Sequence, residues 1–266
     1  MSNGELYTIL TNKAKKGKKG SIVAMIKGTG ATNIIHLLMT HISAKQRNNV
    51  GERILDMAGS MNEIARICFR KATRVTDRFH VQKLAISAVQ DIRIKHRWEA
   101  LEMENKQYVG ARKNNKHYAP KIYSNGDTLK QLLARSRYLL FKNSNKWTQK
   151  QKIRAQILFE NYPDLHKAYT LATKLNHIYE KSTVKAIAIT RMAHWFRDVE
   201  HSGIKNFATV MRTFQIHYDS IANFFNNRST NAAAESFNAK IKEFRRNFRG
   251  VTDVKFFLFR LTKIYA

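Results

Sequence analysis

At 266 residues, with 48 Lys and Arg against 19 Asp and Glu, the chain carries a formal net charge of +29 and a pI near 10.4. Hydrophobic residues at 43% exclude a disordered basic tail, and a single cysteine excludes both a disulfide framework and a cysteine-based zinc site. No apolar run reaches 18 residues and Met1-Ser-Asn-Gly opens no apolar leader, so the reading is a folded, bacterial cytoplasmic protein whose charge calls for a polyanion, nucleic acid by default.

Glu5 to Thr11 is β-branched and aromatic and reads as a strand. Ser21 to Lys27 reads as a second strand, and the basic turn Lys13–Gly20 between them makes an antiparallel hairpin. That turn suits a phosphate backbone and equally a merely solvated loop. Thr32 to Ser43 has helical spacing at Ile34, Ile35, Leu37, Leu38 and Ile42. Arg53 to Asp56 reads as a short strand ending in an acid, and Ala72 to Asp77 as another, with a helix over Asn62–Lys71 between them. Acids at the carboxyl ends of strands lie where α/β sheets place ligands. From Arg78 a long helix runs to about Glu104.

Between about Trp98 and Asn226 only helical periodicity is found: Leu129–Phe141, Thr148–Asn161, Tyr169–Tyr179, Val184–Val199 and Ile204–Phe225. The stripe Met192, Trp195, Phe196 and Val199 reads as core, and Cys68 as an inert core thiol. The expected organisation is therefore residues 1–97 as the first part of an α/β core, 98–226 as a helical insertion, and 227–266 as the return to the core.

The last stretch carries the most chemistry. Ser229 and Thr230 are good helix N-caps, and Ala232–Ala234 favours a helix with Glu235 near its start. Asn231, Glu235, Asn238 and Lys242 share one face, and Lys240, Arg245, Arg246 and Arg249 make the helix basic. An acid among cations suits a metal ligand beside a phosphodiester. It also suits a solvated amphipathic helix, and the helix alone leaves both readings open. Asp56 and Glu235, far apart in sequence, could together hold the divalent ions of two-metal phosphoryl transfer, for which hard oxygen donors select Mg²⁺ or Mn²⁺.

The run Arg228-Ser-Thr-Asn-Ala-Ala-Ala-Glu-Ser-Phe-Asn-Ala-Lys-Ile-Lys242, with Phe256-Phe-Leu-Phe-Arg-Leu261 after it, resembles the C-terminal catalytic helix of DDE transposases of bacterial insertion sequences. Leu55-Asp-Met-Ala58 and Val75-Thr-Asp-Arg-Phe-His-Val81 resemble that family's motifs on the fourth and fifth core strands, and Leu133–Lys142 with Lys146–Thr148 resembles its helical insertion. The resemblance covers essentially the whole chain. It implies an RNase H-like mixed sheet interrupted by an all-α insertion, DNA cleavage and strand transfer at insertion-sequence ends, terminal-repeat and target DNA as partners, and oligomers on DNA. Carried over, it makes Asp56 the second catalytic acid and Glu235 the third, both metal ligands. Lys242 falls where relatives keep a basic residue on the transposon end. Asp77 and His80 would lie beside the site, or form a hydrogen-bonded structural pair.

One departure qualifies the match. The family's first acid precedes the hairpin, on a strand this chain does not contain. The expectation is an incomplete sheet, from a truncated reading frame or one split from a separately encoded N-terminal part, inactive alone. A non-catalytic basic DNA-binding remnant is the alternative.

Overall fold

A computed structural model describes residues 6–57, 59–247 and 253–266. The chain divides into two compact units, the first built from 1–77 and 219–266, the second from 78–218.

The first unit opens with the hairpin β1 (Tyr7–Thr11) and β2 (Ile22–Lys27), paired antiparallel with Leu10 opposite Ala24 and Ile9 opposite Met25. Its turn is a 3₁₀ turn over Lys13–Lys15, capped by the Asn12 side chain, which accepts from the Ala14 N–H. Lys16, Gly17 and Gly20 all have positive φ there. Next come α1 (Ala31–His41), α2 (Ala44–Asn48), β3 (Glu52–Leu55), α3 (Gly59–Cys68) and β4 (Thr73–Thr76). The periodicity of the strands decides what each face meets. Leu10, Ala24 and Ile26 pack on Ile34 and Leu38 of α1 and Ile64 and Cys68 of α3. Ile9 and Met25, one residue out of phase, pack instead on Phe237 and Leu261 from the C-terminal part of the chain. The register irregularity after Leu10 brings Ile22 into this second cluster. Cys68 is buried, and burial pushes its thiol pKa up, as a core thiol requires.

The expected single mixed sheet is not what forms among the described residues. β3 and β4 pair in parallel, Leu55 beside Thr76, and the hairpin stands as a separate two-stranded sheet. Four short strands supply two ladders, and helices on both faces of the hairpin supply the burial.

The second unit is all helical apart from one isolated bridge, Ile122 with Thr128. Its axis is α4 (Arg78–Lys113), which packs on α5 (Leu129–Arg135), α7 (Pro163–Lys181) and α9 (Lys205–Ile216). Between these lie α6 (Gln149–Asn161) and α8 (Lys185–Ser202). The 97/98 boundary read from the sequence falls inside α4. The division lies instead at 77/78, where β4 ends and the helix begins, because 36 residues of continuous helix offer no break. Met192, Trp195 and Val199 are buried as expected, and the Trp195 indole N–H donates to the Leu171 carbonyl at 2.9 Å. Asp127 is fully buried and accepts from the guanidinium groups of Arg135 and Arg154.

The chain then returns to the first unit through the short helices α10 (Tyr218–Ala222) and α11 (Phe224–Asn227), followed by α12 (Ala232–Asn247) and α13 (Val254–Tyr265). Arg249 and the start of the Glu5–Thr11 strand lie outside the described residues.

A candidate metal and DNA-contact site

Two parallel strands in register end side by side, so Asp56 and Asp77 both emerge at the carboxyl edge of the β3–β4 pair. Asp56 is half-buried, and its backbone carbonyl accepts from the Asn62 side chain at 3.4 Å. Asp77 is 2% exposed, its N–H donating to the Leu55 carbonyl at 3.0 Å. The backbone thus fixes Asp77 at the last rung of the ladder.

A string of polar contacts ties the returning segment to these strands. The Ser220 and Thr76 hydroxyls are 2.8 Å apart. The Asn223 amide donates to the Arg74 carbonyl at 3.0 Å. The Asn227 amide and the Ser229 hydroxyl, the latter at 2.7 Å, donate to the two carboxylate oxygens of Glu52 at the start of β3. Lys13 of the basic turn donates to the Ser229 oxygen at 3.0 Å. Chiefly through the Ser229 hydrogen bond, opposed by partial burial and helped by Asn227 and Lys13, the Glu52 carboxyl is held below the usual carboxylate range. Ser229 was expected to cap the Glu helix. Its hydroxyl is committed to Glu52 instead, and the helix begins three residues later at Ala232.

Phe237, Ile241 and Phe244 recur at i, i+4 and i+7 along α12 and seat it on the cluster of Ile22 and Leu261. Phe237 meets the Tyr265 ring edge-on at 5.0 Å. The opposite side carries Glu235 in the first turn, with Asn238, Lys240, Lys242, Arg245 and Arg246, all exposed, and Asn231 half-buried just ahead of the helix. An acid at the helix N-terminus and arginines in the last turn both suit the helix dipole. Lys240 reaches back to the lysine turn, its ammonium 3.5 Å from the Gly17 carbonyl. A Cβ on Gly17 would stand 2.9 Å from that nitrogen.

With α12 seated, a carboxylate oxygen of Glu235 lies within 4.8 Å of one from Asp77. His80, expected beside the site, follows three residues later in the chain and belongs to the helical unit. Asp56 is not a member of this group among the described residues. The sequence reading paired Glu235 with Asp56; the carboxylate that lies within 4.8 Å of Glu235 in this group is that of Asp77, and the part each acid plays is a matter of proposal. Both acids end strands at the same edge of the pair. The available signal was the compact Asp-x-x-His at a strand-to-helix junction, which puts two donors at one end of the chain's longest helix. The donor chemistry fits a divalent cation. Two ligands on opposite sides of an ion with bonds of about 2.1 Å stand about 4.2 Å apart, which the two carboxylates, within 4.8 Å of each other, can span. Carboxylates select Mg²⁺ or Mn²⁺.

A pair of acids thus lies beside a basic helix face in a strongly cationic chain. The sequence model of a transposase family, the ISL3 group of DDE transposases, matches residues 1–261. The chain belongs to that transposase family, whose members use divalent metals. No curated protein and no solved structure matches it. Among the described residues, no helix is long and apolar enough to cross a membrane.

Proposed function

We propose that the first unit is the core of an RNase H-like DNA strand-transfer enzyme, acting on insertion-sequence ends and target DNA as an oligomer, and that Asp77 and Glu235 are its metal-holding acids. The observation that carries this is the convergence of the two carboxylates, 158 residues apart in sequence, at one strand end. When bound, Mg²⁺ or Mn²⁺ supplies Lewis-acid activation of an attacking oxygen and charge neutralisation at the scissile phosphate. The protein's own groups do the rest. Asp77, immobilised by the ladder, fixes the position of one ligand oxygen. Glu235, carried on a rigid helix, brings the other. His80, near the site by the family resemblance, orients the strand end or the DNA. Lys240, Lys242, Arg245, Arg246 and the lysine turn bind backbone phosphates, which positions DNA without reading its sequence. Asp56, on the neighbouring strand end, remains a proposed acid of the site.

The test combines metal binding with chemistry on the full chain. Mn²⁺ titration followed by electron paramagnetic resonance should show a site that Asp77→Asn and Glu235→Gln each weaken by tenfold or more and that Asp56→Asn changes less. Strand transfer of labelled terminal-repeat DNA in Mn²⁺, by the chain alone or with an added N-terminal part that supplies the first acid, should vanish in the same two variants. Wild-type chain that binds the DNA without Mn²⁺ uptake or cleavage would instead establish the non-catalytic binding reading. Equal loss in Asp56→Asn alone would return the metal role to Asp56.

A further inference from the structure

The helical unit holds a cavity that the strand-end chemistry does not use. It opens between α6, α7 and α8, has a volume of about 850 Å³, and is lined by Trp147, Phe159, His166, Tyr169 and Trp195 with a cationic rim of Lys152, Lys174 and Arg191. Its rings are fixed in orientation. Trp147 stacks on Tyr169 with centroids 5.3 Å apart and 29° between planes. The Trp147 indole N–H donates to the Leu139 carbonyl at 2.8 Å, and the Tyr169 hydroxyl donates to the Lys142 carbonyl at 2.8 Å. Phe159 leans on both and stacks on the exposed His166 at 4.4 Å and 10°. On the rim, Lys174 is paired with Asp198 at 2.9 Å and Arg191 donates to Ser182 at 3.1 Å. Lys152 makes no ion pair among the described residues.

We propose that this cavity is a binding site for an unpaired base of single-stranded DNA, stacked on the Trp147–Phe159–Tyr169 shelf with its phosphate at Lys152. Three features point to that occupant. The size is within the range of roughly 300–1,000 Å³ that encloses a small planar ligand. Aromatic faces with flanking cations are the combination that holds unstacked bases without sequence preference. The net charge of +29 draws a polyanion rather than an apolar peptide. Bases in intact duplex are stacked within it, so the cavity selects single strands, ends or distorted junctions. Because the shelf is anchored by two backbone carbonyls, ordering it costs little on binding. The site deepens the DNA-handling reading and rests on it only for the nature of the polymer.

The test is photocrosslinking of the full chain to a single-stranded oligodeoxynucleotide carrying 5-iododeoxyuridine, with peptides mapped by mass spectrometry. Crosslinks should fall on Trp147, Phe159, His166 or Tyr169, and should disappear when the same oligonucleotide is annealed. Thr170→Trp, at an exposed lining position, fills the mouth without emptying the core. It should weaken single-strand binding by about tenfold, the value of one stacked base, and leave duplex binding unchanged. Lys152→Glu should weaken it independently, and circular dichroism melting should confirm both variants as folded. Crosslinks elsewhere, or unchanged single-strand affinity in folded Thr170→Trp, would overturn the proposal. Preferential crosslinking to RNA would overturn the assignment to DNA. Asp77→Asn should crosslink like wild type, so failure here is separable from failure of the metal-site reading.

Discussion

The clasp of Ser229 on Glu52 ties the segment ahead of the Glu235 helix to β3, and its contribution can be worked out. Replacing Ser229 by Ala removes its hydrogen bond to a charged acceptor, worth about 1.5–3 kcal/mol where water cannot replace it, together with the exposed one it accepts from Lys13, whose ammonium water can solvate instead. Glu52 is only half-buried and keeps Asn227, so solvent recovers part of the loss and about 1 kcal/mol is expected. The sign with pH follows from the lowered carboxyl. Its folded pKa lies below the ordinary value of 4.5. The stabilisation is therefore complete above that value and disappears as pH falls through the folded pKa. All three tryptophans, Trp98, Trp147 and Trp195, belong to the helical unit, so fluorescence does not report on this clasp. Hydrogen exchange of peptides covering 52–55 and 219–247 does. At pH 7 these peptides in Ser229→Ala should exchange about fivefold faster than wild type at the same pH, the equivalent of 1 kcal/mol. As the pH is lowered stepwise below 4.5 the ratio should fall toward one. No acceleration at pH 7, or a ratio that does not fall with pH, would refute the clasp.

Two further outcomes follow from other parts of the molecule. Changing Lys242, Arg245 and Arg246 together to Gln should lower the slope of log affinity against log salt by about 2.7 on duplex DNA, at about 0.9 per phosphate contact, as read by fluorescence anisotropy. Asp127→Ala strands Arg135 and Arg154 beside an empty pocket. Both arginines reach solvent, 54% and 21% exposed, so a loss of about 3 kcal/mol is expected, at the low end for a broken buried pair. Tryptophan fluorescence during urea unfolding reports it. Burial opposes the ionised form of Asp127, but the hydrogen bonds from Arg154 and Arg135 overcome it and hold the carboxyl below the usual range. The difference between variant and wild type should therefore shrink in acid.

What was legible in the sequence was local. The hairpin, both strand-ending acids, the long helix from Arg78 and the basic Glu235 face follow from periodicity and turn chemistry, which act over a few residues. What was not legible depended on distant partners. Ser229 has the side chain of an N-cap, and nothing nearby says that Glu52, 177 residues earlier, takes its hydroxyl. Asp56 and Asp77 look alike as strand ends, and the contacts that Ser220, Asn223 and Ser229 make with β4 and β3 come from residues too distant in sequence to be foreseen. The boundary at 97 was read from a change of composition, but α4 keeps its hydrogen-bond ladder through that change, and the chain divides where strand becomes helix. The two-sheet arrangement is a matter of which ladders close, and that is a property of the assembled unit rather than of any segment.

Each of the four strands has only one strand neighbour among the described residues, so each is an edge. An edge strand leaves half of its ladder groups to solvent, side chains or another chain. In the first unit the β-structure is therefore held less by its own hydrogen bonds than by Ile34, Leu38, Ile64 and Phe237 pressing on it from either side. Loosening a helix should release strands before it releases helices. Conditions that thin out apolar packing, cold above all, would then expose four templates for chain-to-chain pairing while the helical unit still reads as native.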